Sequence, residues 1–241
     1  MIDLPLYYAP MGVEQRSYSS FSPHKEVIGE SRYRVVFGHS SPHFAVKEFK
    51  PGKIGHFSST QEAMDEIRRH REEQSELISA IISEGSQPLN IPSSDYVIHA
   101  AEDGKVTYSE VQPWIHRGST LYDLGLGVMS LPSASLDQLE NTFQASLSIW
   151  GQERNLIDLV GSSAKKFNIF QKALRRLLPI FYAENLVVDQ NGNVQIIDFG
   201  KYAIGFERSP ARDRVNVYAE LVGTYISRGI LKLTKFARGL N

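Results

Sequence analysis

Two rhythms of apolar and polar positions divide the chain. Between residues 26 and 112 the apolar residues come in short alternating runs broken by turn formers; from Ser135 onward they recur at helical spacing. In the first part, EVIGESRYRVVF (26–37) predicts a strand, a Gly-containing turn and a second strand, and PHFAVKEFK (42–50) a third, with Ala45 and Lys47 facing one way. DYVIHAA (95–101) and KVTYSEVQ (105–112) flank Glu102-Asp103-Gly104 as a hairpin, giving five strands of a small antiparallel sheet. Residues 60–83 predict a helix with Thr60 as N-cap and Met64, Ile67, Leu77, Ile78 and Ile81 along its apolar side.

In the second part Leu139, Phe143, Leu147 and Trp150 mark a helix whose apolar face belongs to a core. A less regular stretch, 151–163, precedes a second amphipathic helix over 164–178. FERSPARDRV (206–215) reads as an exposed loop, and Val215 to Leu233 as one or two helices. Between them lies FYAENLVVDQNGNVQIIDFGKYAIG (181–205): an apolar run at Leu186–Val188, Asn191-Gly192 as a two-residue turn with positive φ, and a second run at Val194–Ile197. Pairing these strands brings Asn185 and Asp198 to one end. An amide oxygen and a carboxylate converging there are hard ligands of the kind Mg²⁺ takes beside a nucleotide phosphate.

Composition narrows the setting. A chain of 241 residues can bury one good core or a two-lobed unit, and its formal net charge of −1 provides no overall field towards nucleic acid or an anionic membrane. It has no cysteine, which excludes disulfides, thiolate metal sites and a cysteine nucleophile. No apolar run approaches the roughly 18 residues of a membrane span, and MIDLPLYYAP lacks the basic start and apolar core of a secretory signal. The expected setting is cytoplasmic. Residues 1–24, rich in Ser, Tyr and Pro, read as a flexible lead-in of the kind an effector exported into a host cytosol can carry.

The central stretch resembles the catalytic-loop and metal-loop region of protein kinases, whose pattern N-L-apolar-apolar-D-x-x-G-x-apolar-x-I-x-D-F-G it follows. The 13 positions from Asn185 to Asp198 are the spacing usual there. Phe44-Ala45-Val46-Lys47 is similar to the family's Val-Ala-Ile-Lys strand, and 26–37 to its glycine loop, with Gly29 alone where three glycines are common. The resemblance implies an α+β, two-lobed protein kinase-like fold: an N-lobe over 25–112 with a small antiparallel sheet, a hinge at 113–123, and a reduced, mostly helical C-lobe over 124–241. It implies ATP and Mg²⁺ as cofactors, with Asp198 and Asn185 as metal ligands. Lys47 would hold the α- and β-phosphates, oriented by Glu73, with Glu66 and Glu72 as alternatives. Gly29 and Ser31, with the intervening Glu30, would cover the phosphates. Ala45, Gln112 at the gatekeeper place, and Pro113, Trp114 and Ile115 of the hinge would line the adenine site. The partner is a protein, as substrate or regulated target; no nucleic acid and no membrane span are expected.

One departure bears on mechanism. Five positions before the metal-binding Asn the family has the Asp of His-Arg-Asp; here Leu178-Pro179-Ile180 occupies those positions, and Ile180 accepts no proton. Glu184, Asp158 and Asp213 are the carboxylates available as substitutes. Three outcomes stay open: a divergent protein kinase with a substitute base, a pseudokinase that regulates a partner, or a nucleotidyl transferase similar to selenoprotein O-like pseudokinases.

Overall fold

The structure is a computed structural model that describes residues 6–8, 23–30, 34–39, 44–49, 55–83, 89–101, 104–113, 115, 118–161, 167–198, 201–202 and 211–240. Its architecture is α+β, and it divides into two compact units. One comprises residues 1–72, 92–116 and 162–164; the other comprises 73–91, 117–161 and 165–241.

The first unit is an antiparallel sheet with a helix on one face. Its strands are β1 (Leu6–Tyr8), β2 (Pro23–Glu30), β3 (Arg34–His39), β4 (Phe44–Phe49), β5 (Asp95–Ala100) and β6 (Val106–Pro113), in the order β1-β5-β6-β4-β3-β2. That is one strand more than the five expected. Leu6–Tyr8 lies in the lead-in and pairs with Tyr96–Ile98, closing what would otherwise be the free edge of β5. Directly paired residues share a face, so Ala45 opposite Gln112 and Lys47 opposite Glu110 stand on one side of the sheet. On that side Tyr96, Ile98 and Tyr108 pack against Ala63 and Ile67 of α1 (Thr60–Ser83). The other face buries Val46, Val97 and Val111. The cap of α1 is Ser59, not Thr60: Ser59 Oγ accepts the Glu62 N–H at 3.2 Å, while Glu62 Oε2 accepts the Ser58 N–H at 2.9 Å. The hydroxyl one residue earlier reaches the orphan donors, and Thr60 is already helical.

The second unit is built on two long helices, α3 (Ser133–Glu153) and α6 (Ala211–Ala237), with α2 (Leu121–Leu124), α4 (Ile169–Leu177) and α5 (Pro179–Tyr182) beside them. Short strands thread between: β7 (Ser119–Thr120), β8 (Leu156–Ile157), β9 (Leu186–Val188), β10 (Val194–Ile196) and β11 (Lys201–Tyr202). The core gathers Leu136, Leu139 and Phe143 of α3 with Leu186, Ile196 and Leu231. Two expectations are corrected here. The stretch after residue 210 is helical from Ala211, so α6 is a single helix that begins inside the expected loop. The β9–β10 connection is a three-residue loop: Asp189 N–H donates to Asn193 O at 2.9 Å and Gly192 N–H to Asp189 O at 3.0 Å. Only Gly192 there takes a positive φ, +83°, and Asn191 does not. The Asp189 carboxylate accepts the N–H groups of Asn191 and Asn193 at 2.8 and 2.9 Å, which holds the longer loop closed.

Candidate functional site

In the first unit Lys47 is buried, and a buried ammonium needs anionic company. Glu110 supplies it, with Lys47 Nζ 3.7 Å from Glu110 Oε1. Ser94 Oγ donates to the same oxygen at 2.7 Å. Ala45 and Gln112, also buried, flank this pair along the same sheet face. Sequence reasoning did not single out Glu110, although the signal was present: if Gln112 lies opposite Ala45, Glu110 must lie opposite Lys47 in an antiparallel pair. Gly29 sits in β2 opposite Val36, Pro113 ends β6 and Ile115 follows it. Ser31 and Trp114 lie outside the described residues.

Glu73 is in the α1 segment that belongs to the second unit and is half-buried. Of the two alternatives, Glu72 is exposed and Glu66 is engaged on the helix itself, by Arg69 at 2.5 Å and His70 at 3.4 Å.

In the second unit the β9–β10 hairpin does bring Asn185 and Asp198 together. Ile197 N–H donates to Asn185 O at 3.0 Å, and Asn185 Nδ2 donates to the Asp198 backbone O at 3.4 Å. Asn185 is buried; the Asp198 residue is exposed. A second acid joins them. β8 pairs with β11, Ile157 opposite Lys201, and the chain then turns through Asp158–Gly161. Asn185 Nδ2 donates to the Asp158 backbone O at 2.8 Å.

The polar groups of that loop are almost all engaged, as buried backbone requires. Leu159 O accepts Asn185 N–H at 3.3 Å, and Val160 O accepts Glu184 N–H at 3.4 Å and Arg175 Nη2 at 3.1 Å. Gly161 N–H donates to Asp158 Oδ1 at 2.9 Å. The N–H groups of Leu159 and Val160 donate to the carboxylate of Glu220, which comes in from α6. Gly161 takes φ +73°, and a Cβ there would stand 2.6 Å from Asn185 Oδ1, so only glycine lets the loop lie against the amide.

Electrostatics follow from this packing. Burial pushes the Asp158 carboxyl up to about 6; the Gly161 N–H opposes the rise and the nearby Asp198 charge adds to it. Burial, aided by the Asp158 charge, pushes Glu220 up to about 8, against the pull of Arg176 and its two backbone donors. Glu184 is taken up by Arg175 at 3.2 Å, and the same guanidinium stacks over Phe167 at 4.4 Å. Ile180 is a core residue with no exposed surface, its N–H donating to Ser227 Oγ at 3.1 Å. Among the three substitute carboxylates, then, Asp158 stands against Asn185, Glu184 is engaged by an arginine, and Asp213 falls in the first turn of α6.

Glu220, Arg175 and Gly161 also escaped sequence reasoning. Glu220 had a signal, as the lone acid within the apolar run VYAELVGTYI. The contacts that gather Asn185, Asp158 and Asp198 run through the backbone carbonyls of the two acids; their side chains, two carboxylates and an amide, are of the hard donor type that Mg²⁺ takes beside phosphate and water. Among the described residues no group of three or more His, Asp or Glu side chains forms an all-protein metal cage. No described helix is long and apolar enough to cross a membrane.

No protein-family model matches the sequence, and no curated protein matches it. Solved structures that align with it include a MAP kinase from Leishmania major, at TM-score 0.32 and 11% identity over 75% of this chain. A glucosamine kinase aligns at TM-score 0.35 and 9% identity over 98% of this chain. The chain spans 46% of the length of the first and 69% of the second. Likenesses this slight carry no weight of their own, and function rests on the residues.

Proposed function

We propose that the chain is a two-lobed, kinase-like phosphotransferase that moves the γ-phosphoryl group of Mg²⁺-ATP to a protein hydroxyl, with Asp158 in the role of the missing catalytic-loop acid. The observation that carries this is the meeting of Asp158, Asn185 and Asp198 around one tightly bonded loop.

In this account Lys47 holds the α- and β-phosphates, and Glu73 orients it, with Glu110 as its neighbour on the sheet. Gly29 and Ser31 cover the phosphates; Ala45, Gln112, Pro113, Trp114 and Ile115 line the adenine. Asp198 would hold the principal Mg²⁺ and Asn185 the second; the ions would neutralise charge developing on the phosphates. The acceptor oxygen forms a bond to the γ-phosphorus as the bond to the β–γ bridging oxygen breaks, ADP departs, and the acceptor proton passes to the Asp158 carboxylate. Phosphoryl transfer depends mostly on positioning and charge neutralisation, so an acid supplied from the turn after β8 instead of from residue 180 can serve.

Incubation with γ-labelled and with α-labelled ATP tests this. Label from the γ position alone, transferred to protein, is expected. Label from the α position would make the chain a nucleotidyl transferase. No transfer from either, with nucleotide still bound, would make it a regulatory pseudokinase.

A further inference from the structure

One face of helix α6 is largely exposed and apolar, although the Tyr218 ring stands edge-on to Trp150 at 6.0 Å. Val215, Tyr218, Val222, Tyr225, Leu233 and Phe236 are exposed, from 47% at Val222 to 77% at Phe236, while the helix packs against α3, α4 and α5 elsewhere. The first four recur at intervals of three and four residues, and the rhythm continues through Gly229, where an added Cβ would meet nothing within 4 Å. From residue 215 to 236 the stripe runs about 32 Å at 1.5 Å per residue. Exposed apolar surface that is contiguous and periodic marks an interaction site, whereas scattered exposed side chains do not.

Cations outnumber carboxylates around the stripe, with Asp213 the one acid of the first turn of α6. From Arg214 onward the sole acid on α6 is Glu220, which is buried, while Arg214 and Lys232 are exposed. Neighbouring α4, IFQKALRRL, carries basic residues and no acid. Towards α3, Arg228, Lys232 and Lys235 face Asp137 and Glu140, three cations against two carboxylates. A second copy of the chain would set these positive flanks against each other. The three-and-four spacing with a side-chain-free hole at Gly229 is the surface one helix offers another.

We propose that this face of α6 docks an amphipathic helix with acidic flanks, carried by a partner protein, its apolar ridge lying on the stripe and its carboxylates beside Arg214 and Lys232. The proposal stands independently of the phosphotransferase function.

The probes are two synthetic helical peptides of about three heptads with Leu at a and d, one with Glu and one with Lys at e and g. The full chain is expected to bind the Glu peptide at least tenfold more tightly than the Lys peptide. Tyr225→Ser with Leu233→Ser should weaken the Glu peptide at least tenfold while circular dichroism stays unchanged, both side chains being exposed. Lys232→Glu should narrow or invert the preference, which needs no loss of fold to be read. Equal binding of both peptides, binding of neither, or indifference to these variants overturns the proposal. So does capture of the chain on phosphatidylserine vesicles through the same residues, which would assign the face to a membrane. Self-association abolished by the double variant would assign it to a second copy.

Discussion

At the scale of single residues, the account turns on which carboxylate stands where. Ile180 occupies the slot of the family's catalytic Asp and is wholly enclosed in the core. Restoring the family residue with Ile180→Asp is therefore expected to destabilise the chain by several kcal/mol, an unpaired charge having been buried, and not to raise activity. Thermal unfolding followed beside label transfer reads both. Asp158→Asn should instead leave the melting temperature close to wild type and lower turnover by about 10²–10⁴-fold, the usual contribution of a positioned proton acceptor. Wild-type turnover in Asp158→Asn would remove Asp158 from the mechanism. Glu220 gives a pH signature. Folded, it keeps its proton up to about pH 8; unfolded, it releases it near the ordinary glutamate value of 4.5. Unfolding between those values therefore releases a proton, and stability falls as pH rises through that window. In Glu220→Gln this component is gone, so the stability of wild type relative to the variant should decline from pH 5.5 to pH 8 by at most roughly 3 kcal/mol, at about 1.4 kcal/mol per unit. A relative stability that rises over that range would mean Glu220 is ionised in the fold.

At the scale of elements, the patterned parts of the chain were legible. Alternation gave β4 and β6 within a residue or two of Phe44–Phe49 and Val106–Pro113, and the helical period gave α1 with the bounds observed, Thr60–Ser83. These elements bury a regular face, so their period is written into the sequence. What the local pattern does not encode is held by contacts distant in sequence. β8 is two residues long and exists because β11 pairs with it. From the sequence Asp158 is one of three equal candidates, because its place beside Asn185 depends on a hydrogen bond spanning 27 positions. Asn191-Gly192 is a strong two-residue signal locally, and the Asp189 carboxylate outweighs it in favour of the three-residue loop. A glycine settles one helix pair. A Cβ on Gly223 of α6 would run into the Arg176 carbonyl at the end of α4. Gly223→Ala should cost about 1–3 kcal/mol by overpacking despite its better helix propensity, whereas Gly229→Ala, where a Cβ meets nothing within 4 Å, should stabilise by up to about 1 kcal/mol. Chemical denaturation of the two variants compares them directly.

At the scale of the whole molecule, a sheet-based unit carries a buried Lys47–Glu110 pair and a mostly helical unit carries Asn185, Asp198 and Asp158. The proposed function requires both sets to serve one nucleotide. Titration calorimetry of ATP with and without Mg²⁺, on wild type and on Asp198→Ala, tests that requirement most directly. The account predicts Mg²⁺-dependent binding to wild type that weakens at least tenfold in Asp198→Ala. Absence of ATP binding, or binding that is the same with or without the metal and with or without the Asp198 carboxylate, would contradict it.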